Sequence, residues 1–207
     1  MTIGILGLKV GMTQIFDKNG LAISITVIKA GPCIVTQIKN VAENNYDAIQ
    51  IGFLEKKKNI KKPESGHFKK SRVGVLKFLK EYKVKTKDNF KIGQVINVDL
   101  FTPGQLVTVR GKTIGKGFSG LQKRYHFARG PMTHGSKNHR APGSIGAGTT
   151  PGRVFPNKKM SGQKGNEFAT VSGLTVMAID KKENLLLVKG AIPGKFGNFV
   201  SIIPSLS

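Results

Sequence analysis

The chain has 207 residues, a formal charge of +23 and a pI near 10.3, and 39% of its residues are hydrophobic. This length fits one domain, or one domain with an appendage, and the hydrophobic content is enough for a modest core. The single cysteine excludes an intramolecular disulfide framework, and no apolar run approaches the roughly 18 residues that span a bilayer.

The clearest predicted strand spans residues 21–29. Ile23, Ile25 and Val27 occupy alternate positions, and Thr26 and other small or polar residues lie between them. A period of two is typical of a strand with one buried and one solvated face. The pattern therefore predicts that Ile23, Ile25 and Val27 face the core and that Thr26 faces water.

Further short strands are predicted along the rest of the chain, separated by turns rich in glycine, proline and asparagine. Cys33 stands in an apolar run and is interpreted as a small buried core residue. Short segments at a spacing of about ten residues favour a small barrel or sandwich, so the fold is predicted to be mainly β. The segments are residues 34–38, 48–53, 94–99, 106–109, 174–179 and 185–188, with a last strand that ends at residue 203.

Residues 55–91 change the character of the chain and are predicted to form a basic loop or helix region. They hold fourteen Lys and Arg against four acids, with several lysines in clusters of two or three. Such clusters are either a solvated face or part of a surface for a polyanion, and the composition leaves both interpretations open. Val75, Leu76 and Leu79 predict a short helix over residues 73–82.

Residues 100–166 contain no acid at all. They carry twelve Lys and Arg and three of the four histidines, which gives a formal charge of about +12. Like charges repel in a compact state, so a long segment of one sign persists where a strong anion neutralises it. The polyanion with enough charge per unit length is nucleic acid.

Within this window, residues 111–166 are predicted to be an insertion between strands. The segment is rich in glycine, and its aromatic and aliphatic residues are scattered rather than phased. It cannot bury enough apolar area to offset the ordering of its backbone, which costs about 1–2 kcal/mol per residue. The insertion is therefore expected to be loose until a partner orders it.

Two glycine motifs resemble parts of nucleotide-binding sites. Residues 115–120 satisfy G-x-G-x-x-G, but a dinucleotide site also needs an acid about 20 residues further on, and none occurs before Glu167. Residues 111–113 resemble the end of a phosphate-binding loop, but the glycine required five residues earlier is Leu106. Neither motif therefore predicts a nucleotide site, and no cofactor is predicted.

The histidines His126, His134 and His139 do not predict a metal site. Cysteine or carboxylate support at short spacing is missing, since Cys33 is remote and the window has no acid. Histidines that stack on bases or bind phosphate are the preferred interpretation. A catalytic triad is not marked by any feature of the sequence.

Residues 111–166 resemble a known protein family. The run from residue 111 to 166 is similar to the universal ribosomal protein three of the large subunit, in its bacterial and plastid form. The family signature is Gly-Lys-Gly followed by a glycine and an arginine, and it stands here as Gly115, Lys116, Gly117, Gly120 and Arg124.

Residues 7–16 and 184–194 resemble the same family, so the similarity covers essentially the whole chain. Two positions depart from the pattern of many members. Thr108 replaces an acid or asparagine, and Thr149 replaces a glutamine that some bacterial relatives methylate. Methylation of a glutamine at that position is therefore not expected.

The resemblance implies a small six-stranded β-barrel domain, made of residues 1–110 and 167–207, with a long, glycine-rich basic extension at residues 111–166. It also implies direct binding to large-subunit rRNA, a role in nucleating subunit assembly, and an extension that reaches toward the peptidyl transferase centre. The expected partners are this rRNA and neighbouring large-subunit proteins, with no membrane and no small-molecule substrate. The expected location is the ribosome of a bacterial cytoplasm or a plastid stroma.

The predicted mechanism is electrostatic and structural, not catalytic. Basic side chains neutralise crowded phosphates, aromatic and histidine rings stack on unpaired bases, and three glycines allow close packing against RNA. A free-standing RNA chaperone is the rival class, and an enzyme is a distant third. The glycines are Gly115, Gly117 and Gly120, and the predicted rRNA-binding residues are Lys112, Lys116, Lys123, Arg124, Tyr125, His126, Arg129, His134, Lys137, His139, Arg140, Arg153, Lys158, Lys159 and Lys164.

Overall fold

The computed structural model describes residues 3–84 and 90–205, and this part of the chain is mainly β. It divides into two compact units: the first runs to Thr113 and resumes at Phe168, and the second is Ile114–Glu167. The described strands are β1 (Ile5–Phe16), β2 (Ala22–Ala30), β3 (Cys33–Lys39), β4 (Ala48–Glu55), β5 (Leu76–Lys83), β6 (Val95–Ile96), β7 (Leu106–Lys112), β8 (Phe118–Ser119), β9 (Gly162–Gln163), β10 (Phe168–Asp180), β11 (Leu185–Lys189) and β12 (Phe199–Pro204). The helices are α1 (Val41–Asn44), α2 (Lys62–Ser71) and α3 (Leu121–Tyr125), with a 3-10 turn at Val98–Leu100.

The larger sheet of the first unit is antiparallel throughout and has the strand order β1-β12-β7-β10-β11-β2. Strand β2 also pairs with β1, so each of the six strands has two hydrogen-bonded neighbours. Ile5 pairs with Ile202, and Val109 pairs with both Ile202 and Val171. This order places the last strand, β12, between the first strand, β1, and β7, the strand that leads into the second unit.

A second antiparallel sheet, ordered β5-β4-β3-β6, completes the first unit. The two sheets share one apolar core, in which Ile5, Ile28 and Val109 lie close to Ile49 and Ile51 of β4, all fully buried. Burial of one such side chain stabilises the fold by about 1.5–3 kcal/mol, so this shared core fixes the second sheet against the first.

Cys33 belongs to this core, as predicted, and is fully buried. Its Sγ atom lies 3.4 Å from the backbone nitrogen of Leu6. Burial raises the pKa of the Cys33 thiol to about 12, because the charged thiolate loses its hydration. The thiol is therefore protonated at neutral pH and packs as a small apolar group.

The predicted strand at residues 21–29 is confirmed as β2, and so is the predicted burial of Ile25, but the prediction that Thr26 faces water is wrong. Thr26 is fully buried, and Ile28 and Ala30 on the same face lie in the shared core, whereas Val27 is only half-buried. The hydroxyl of Thr26 donates a 2.6 Å hydrogen bond to the carbonyl oxygen of Gly190. That bond removes the cost of burying a hydroxyl, which the alternation alone could not reveal.

The predicted pair of strands at residues 174–179 and 185–188 is also confirmed, because β10 pairs with β11 across the turn that follows Asp180. The predicted strand at residues 94–99 is mostly wrong. Only Val95–Ile96 forms a strand, and the 3-10 turn Val98–Leu100 follows it.

The helix predicted at residues 73–82 is wrong, because Leu76–Lys83 is strand β5 at the edge of the second sheet. Leu76 and Tyr82 are buried on one face of this strand, and Phe78 lies between them on the same face. The Phe78 ring stacks on the Phe199 ring, with 4.3 Å between the ring centroids. The Tyr82 hydroxyl and the Ser201 hydroxyl are hydrogen-bonded at 2.6 Å.

The helix of the basic region lies earlier, at α2, where the sequence indicated only lysine clusters. Phe68 on α2 is buried, and Pro63 stands at the start of the helix, where a proline is tolerated because its missing N–H would have no partner. Residues 85–89 of the predicted basic region lie outside the described residues.

Candidate nucleic-acid interface

The second unit, Ile114–Glu167, begins with a first leg, residues 114–125, and ends with a second leg, residues 153–167, and the two legs are hydrogen-bonded to each other. The backbone nitrogen of Lys116 donates to the Lys164 carbonyl at 2.8 Å, and the Lys164 nitrogen donates to the Gly117 carbonyl at 3.0 Å. Strands β8 and β9 then pair through Phe118 with Gln163 and Ser119 with Gly162. This ladder brings Lys116 and Lys164, which are far apart in the sequence, to one position.

Helix α3 continues the first leg and gathers further cations. The guanidinium of Arg124 lies 5.0 Å from the ring centroid of Tyr125, and the ammonium of Lys159 lies 5.6 Å from the same ring. Arg124 Nη1 also donates a 2.7 Å hydrogen bond to the Met160 carbonyl. The Tyr125 ring thus makes cation–π contacts with Arg124 of the first leg and Lys159 of the second. These contacts are additional to the predicted role of Tyr125 in stacking on bases.

A polar cavity of about 490 Å³ opens beside β8 and α3. The Lys164 ammonium donates a hydrogen bond to the Lys123 carbonyl on the same side of the unit. A lining with three lysines, a serine and a glutamine is of a kind that suits phosphate oxygens. The cavity is lined by Lys116, Phe118, Ser119, Gln122, Lys123, His126 and Lys164.

The middle of the second unit contains a loop, residues 130–139, that closes on itself and is called the closed loop. The backbone nitrogen of Gly130 donates to the His139 carbonyl at 3.0 Å, and Nδ1 of His139 donates to the Pro131 carbonyl at 2.8 Å. A side chain at position 130 would overlap the Asn138 carbonyl oxygen, so glycine is required there. In the free chain His139 therefore holds the loop together, a role that the sequence pattern did not predict.

The other predicted residues are distributed around these two centres. Arg129, His134, Lys137 and Arg140 are exposed on or beside the closed loop, and Lys158 is exposed on the second leg. The guanidinium of Arg153 lies 5.8 Å from the Phe155 ring centroid. Lys112 belongs to the first unit, where its carbonyl accepts a hydrogen bond from the Asn198 amide.

The large apolar residues of the second unit are mostly on its surface. Phe118 is 77% exposed, whereas Leu121 is the one large apolar residue of this unit among the buried core residues of the described chain. Phe118 was not among the predicted site residues, although its position between the signature glycines could have identified it. The exposed large apolar residues are Ile114, Phe118, Phe127, Met132, Ile145, Val154, Phe155 and Met160.

The three signature glycines have different surroundings. Gly117 has a φ of +68°, Gly115 would place a Cβ 3.3 Å from Asn166, and Gly120 is the N-cap of α3 with open space around it. A valine at Gly117 would be strained in the free protein. Gly120 is therefore the position at which close approach of a partner can be tested separately from backbone strain.

We expect the Gly120→Ser variant to fold normally, because serine is a better N-cap than glycine, and to bind large-subunit rRNA several-fold more weakly. Filter binding with a large-subunit rRNA transcript and thermal unfolding measure the two effects. Wild-type affinity of Gly120→Ser would contradict close packing at this glycine. Micromolar affinity for NAD or ATP by calorimetry would instead favour a nucleotide site.

None of the described helices is long and apolar enough to cross a membrane. Within residues 3–84 and 90–205, no group of three or more His, Cys, Asp or Glu side chains is arranged to hold a metal ion.

The sequence pattern of the family described as ribosomal protein L3 matches residues 68–189. A relative named large ribosomal subunit protein uL3c, from Phaeodactylum tricornutum, is 59% identical over 99% of this chain and 100% of its own length. Relatives named uL3 from Synechococcus elongatus and uL3c from Porphyra purpurea are 58% and 54% identical over at least 97% of both chains.

These similarities place the chain among the ribosomal proteins, a structural class and not a class of enzymes. The chain belongs to the ribosomal protein L3 family. The predicted family resemblance is thereby confirmed. Because the relatives come from cyanobacteria and from plastids, the predicted ribosome of bacterial or plastid type is confirmed as well.

Proposed function

We propose that this protein is a structural constituent of the large ribosomal subunit and that it binds large-subunit rRNA directly. The observation that carries the proposal is the composition of the second unit, which has no acid before Glu167, and whose large apolar side chains are mostly exposed. A unit of one charge sign with so little core gains stability from an anionic partner that also covers its rings and aliphatic groups.

The proposed mechanism of rRNA binding depends on the cations that the two paired legs bring together. Lys116, Lys123 and Lys164 converge on the polar cavity, where they neutralise phosphates that would otherwise repel one another. Arg124, held by Tyr125 and the Met160 carbonyl, offers a planar guanidinium for bidentate contacts with phosphate. Exposed rings such as Phe118 stack on unpaired bases at about 1–3 kcal/mol each.

The domain organisation is part of the proposal. Residues 1–110 and 167–207 form a six-stranded β-barrel, an interpretation that the closed order of strand pairings supports. Residues 111–166 form the extension that penetrates rRNA, and the family relationship supports its path toward the peptidyl transferase centre. The same relationship supports an early role in nucleating subunit assembly and contacts with neighbouring large-subunit proteins.

Chemical footprinting of large-subunit rRNA with and without the protein tests this function. We expect protections clustered where several rRNA helices converge, and stable association with large subunits through salt-washed sucrose gradients. Release of the protein in the salt wash, with scattered and weak protections, would favour a free-standing RNA chaperone.

We expect limited proteolysis of the free protein to cut first at basic sites between Lys112 and Lys164 and to leave a β core. The second unit has little buried apolar surface to oppose local opening, whereas the shared core of the first unit protects its strands. Gel analysis with mass spectrometry identifies the cuts, with and without rRNA. Equal resistance of these sites in the absence of rRNA would contradict the prediction.

A further inference from the structure

We propose that helix α2 carries a second RNA-binding face, separate from the extension, that contacts the phosphate backbone of double-helical rRNA. This inference rests on the proposed function, since it assumes that the chain binds large-subunit rRNA. It concerns the basic region that the sequence left open between a solvated surface and a polyanion site.

The exposed side of α2 is a face of lysines around a glycine. Lys62, Gly66, Lys69 and Lys70 have the spacing i, i+4, i+7 and i+8, which places them on one side of a helix. All four are exposed. These four residues form the lysine face.

The surroundings of the lysine face have the same sign. Between residues 57 and 72 seven basic side chains are exposed, and the single acid of this stretch, Glu64, pairs with Lys56 at 2.6 Å. The exposed members outside the helix face are Lys57, Lys58, Lys61 and Arg72. The lysine face therefore lies in a stretch of chain whose exposed charges are all positive.

The other side of α2 is fixed to the second sheet, so the lysine face cannot turn inward. The Phe68 side chain of α2 is only 3% exposed. The His67 ring, through Nε2, is hydrogen-bonded to Gln50 Oε1 at 2.9 Å, and Gln50 Nε2 donates to Glu81 at 3.2 Å. Glu81 in turn pairs with Lys39 at 2.7 Å.

Gly66 has no structural reason to be glycine in the free protein. It lies in the helix interior without a positive φ, and an added Cβ would meet nothing within 4 Å. Glycine at such a position destabilises a helix relative to alanine. A missing side chain at the centre of a lysine face does allow a partner's backbone to approach the helix closely.

The chemistry of the face favours RNA over an acidic protein. Lysine is depleted at protein–protein interfaces, whose centres hold aromatic and apolar anchors, and no such anchor lies among the four residues of the face. Ammonium groups act as compact point charges for phosphate. A-form RNA presents a wide, shallow groove bordered by phosphates, which a shallow basic helix face can contact without reading sequence.

The test uses the full chain and an in vitro transcript of a cyanobacterial large-subunit rRNA. Lys62→Gln/Lys69→Gln/Lys70→Gln should make the slope of log affinity against log salt shallower by about 2, at roughly 0.7–0.9 per lost phosphate contact. The matched control, Lys18→Gln/Lys181→Gln/Lys182→Gln, removes the same charge from turns that also carry acids, and should change the slope by less than half as much.

Gly66→Ala gives the sharper result, because its two effects have opposite signs. It should raise the Tm of the free protein by about 1–4 °C, through helix propensity, and weaken rRNA binding at least threefold. Wild-type binding by Gly66→Ala, together with a lysine-face triple that behaves like the control triple, would overturn the inference while leaving the proposed function intact.

Footprints separate the remaining outcomes. Loss of protections in the lysine-face variants at sites that extension variants retain would support a second RNA contact. Unchanged protections with reduced incorporation into subunits would assign the face to a protein neighbour and overturn the inference. Failure of the wild-type chain to bind the transcript would instead refute the proposed function.

Discussion

Raising the salt concentration from 50 to 200 mM should lower the affinity of the full chain for large-subunit rRNA by between three and four powers of ten. With roughly eight phosphates neutralised, at about 0.7–0.9 per contact, the slope of log affinity against log salt is near −6. The density of cations in the second unit, including the three lysines of the polar cavity, is the physical reason. Filter binding across a salt series measures the slope.

A comparison with the leg variant Lys116→Gln/Lys123→Gln/Lys158→Gln provides the control for this slope. All three side chains are exposed, so their replacement removes charge with little effect on packing. The variant should have a slope shallower by about 2. A wild-type slope shallower than about −2 would show that phosphate contacts contribute little, and would contradict the electrostatic mechanism.

Charge removal in the legs should reduce the yield of large subunits more than charge removal at the closed loop, which should mainly impair translation. The legs hold the paired strands and the polar cavity, and their cations act together. The closed loop offers fewer contacts, each worth about 1–3 kcal/mol. Its proposed position near the peptidyl transferase centre predicts a defect in peptide-bond formation.

Two matched triples test this division: the leg variant above and the loop variant Arg129→Gln/Lys137→Gln/Arg140→Gln. Each removes three exposed charges. Gradient profiles measure subunit yield, and peptide-bond formation by purified subunits measures function. If the loop variant abolishes assembly while its few subunits work normally, the division between legs and loop is wrong.

His139 is not suited to this comparison, although the sequence indicated it as a base-contacting residue. Its ring donates to the Pro131 carbonyl, so His139→Ala would also open the loop. Arg140→Ala is the cleaner single substitution. The Arg140 side chain is exposed, and within the described part of the chain it makes no hydrogen bond that the substitution would remove. We expect it to cost about 1–3 kcal/mol locally and to leave assembly mostly intact.

The sequence alone determined the features that depend on composition and local pattern. The charge of residues 100–166 is independent of conformation, so the prediction of a nucleic-acid partner does not depend on the fold. Strand β2 and the pairing of β10 with β11 followed from apolar runs beside turn residues. The signature at Gly115 to Arg124 identified the family, which the full-length relatives confirm.

The tertiary structure decided which face of each element is buried. Thr26 can lie in the interior because the Gly190 carbonyl, 164 residues away in the sequence, accepts a hydrogen bond from its hydroxyl. Leu76–Lys83 is a strand because β4 supplies its hydrogen bonds and Phe199 covers Phe78. The pattern of Val75, Leu76 and Leu79 contains neither of these contacts.

Long-range contacts also explain why the residues of the candidate site lie close together. The sequence supplied its cations, but the convergence of Lys116 and Lys164, the two cations beside Tyr125 and the loop-closing bond of His139 depend on pairing between distant segments. The lysine face of α2 also depends on tertiary structure, because the burial of Phe68 and the hydrogen bond of His67 fix the opposite side of the helix to the second sheet. Charge is local to the chain, whereas burial and proximity arise from long-range contacts that residue types and spacing do not specify.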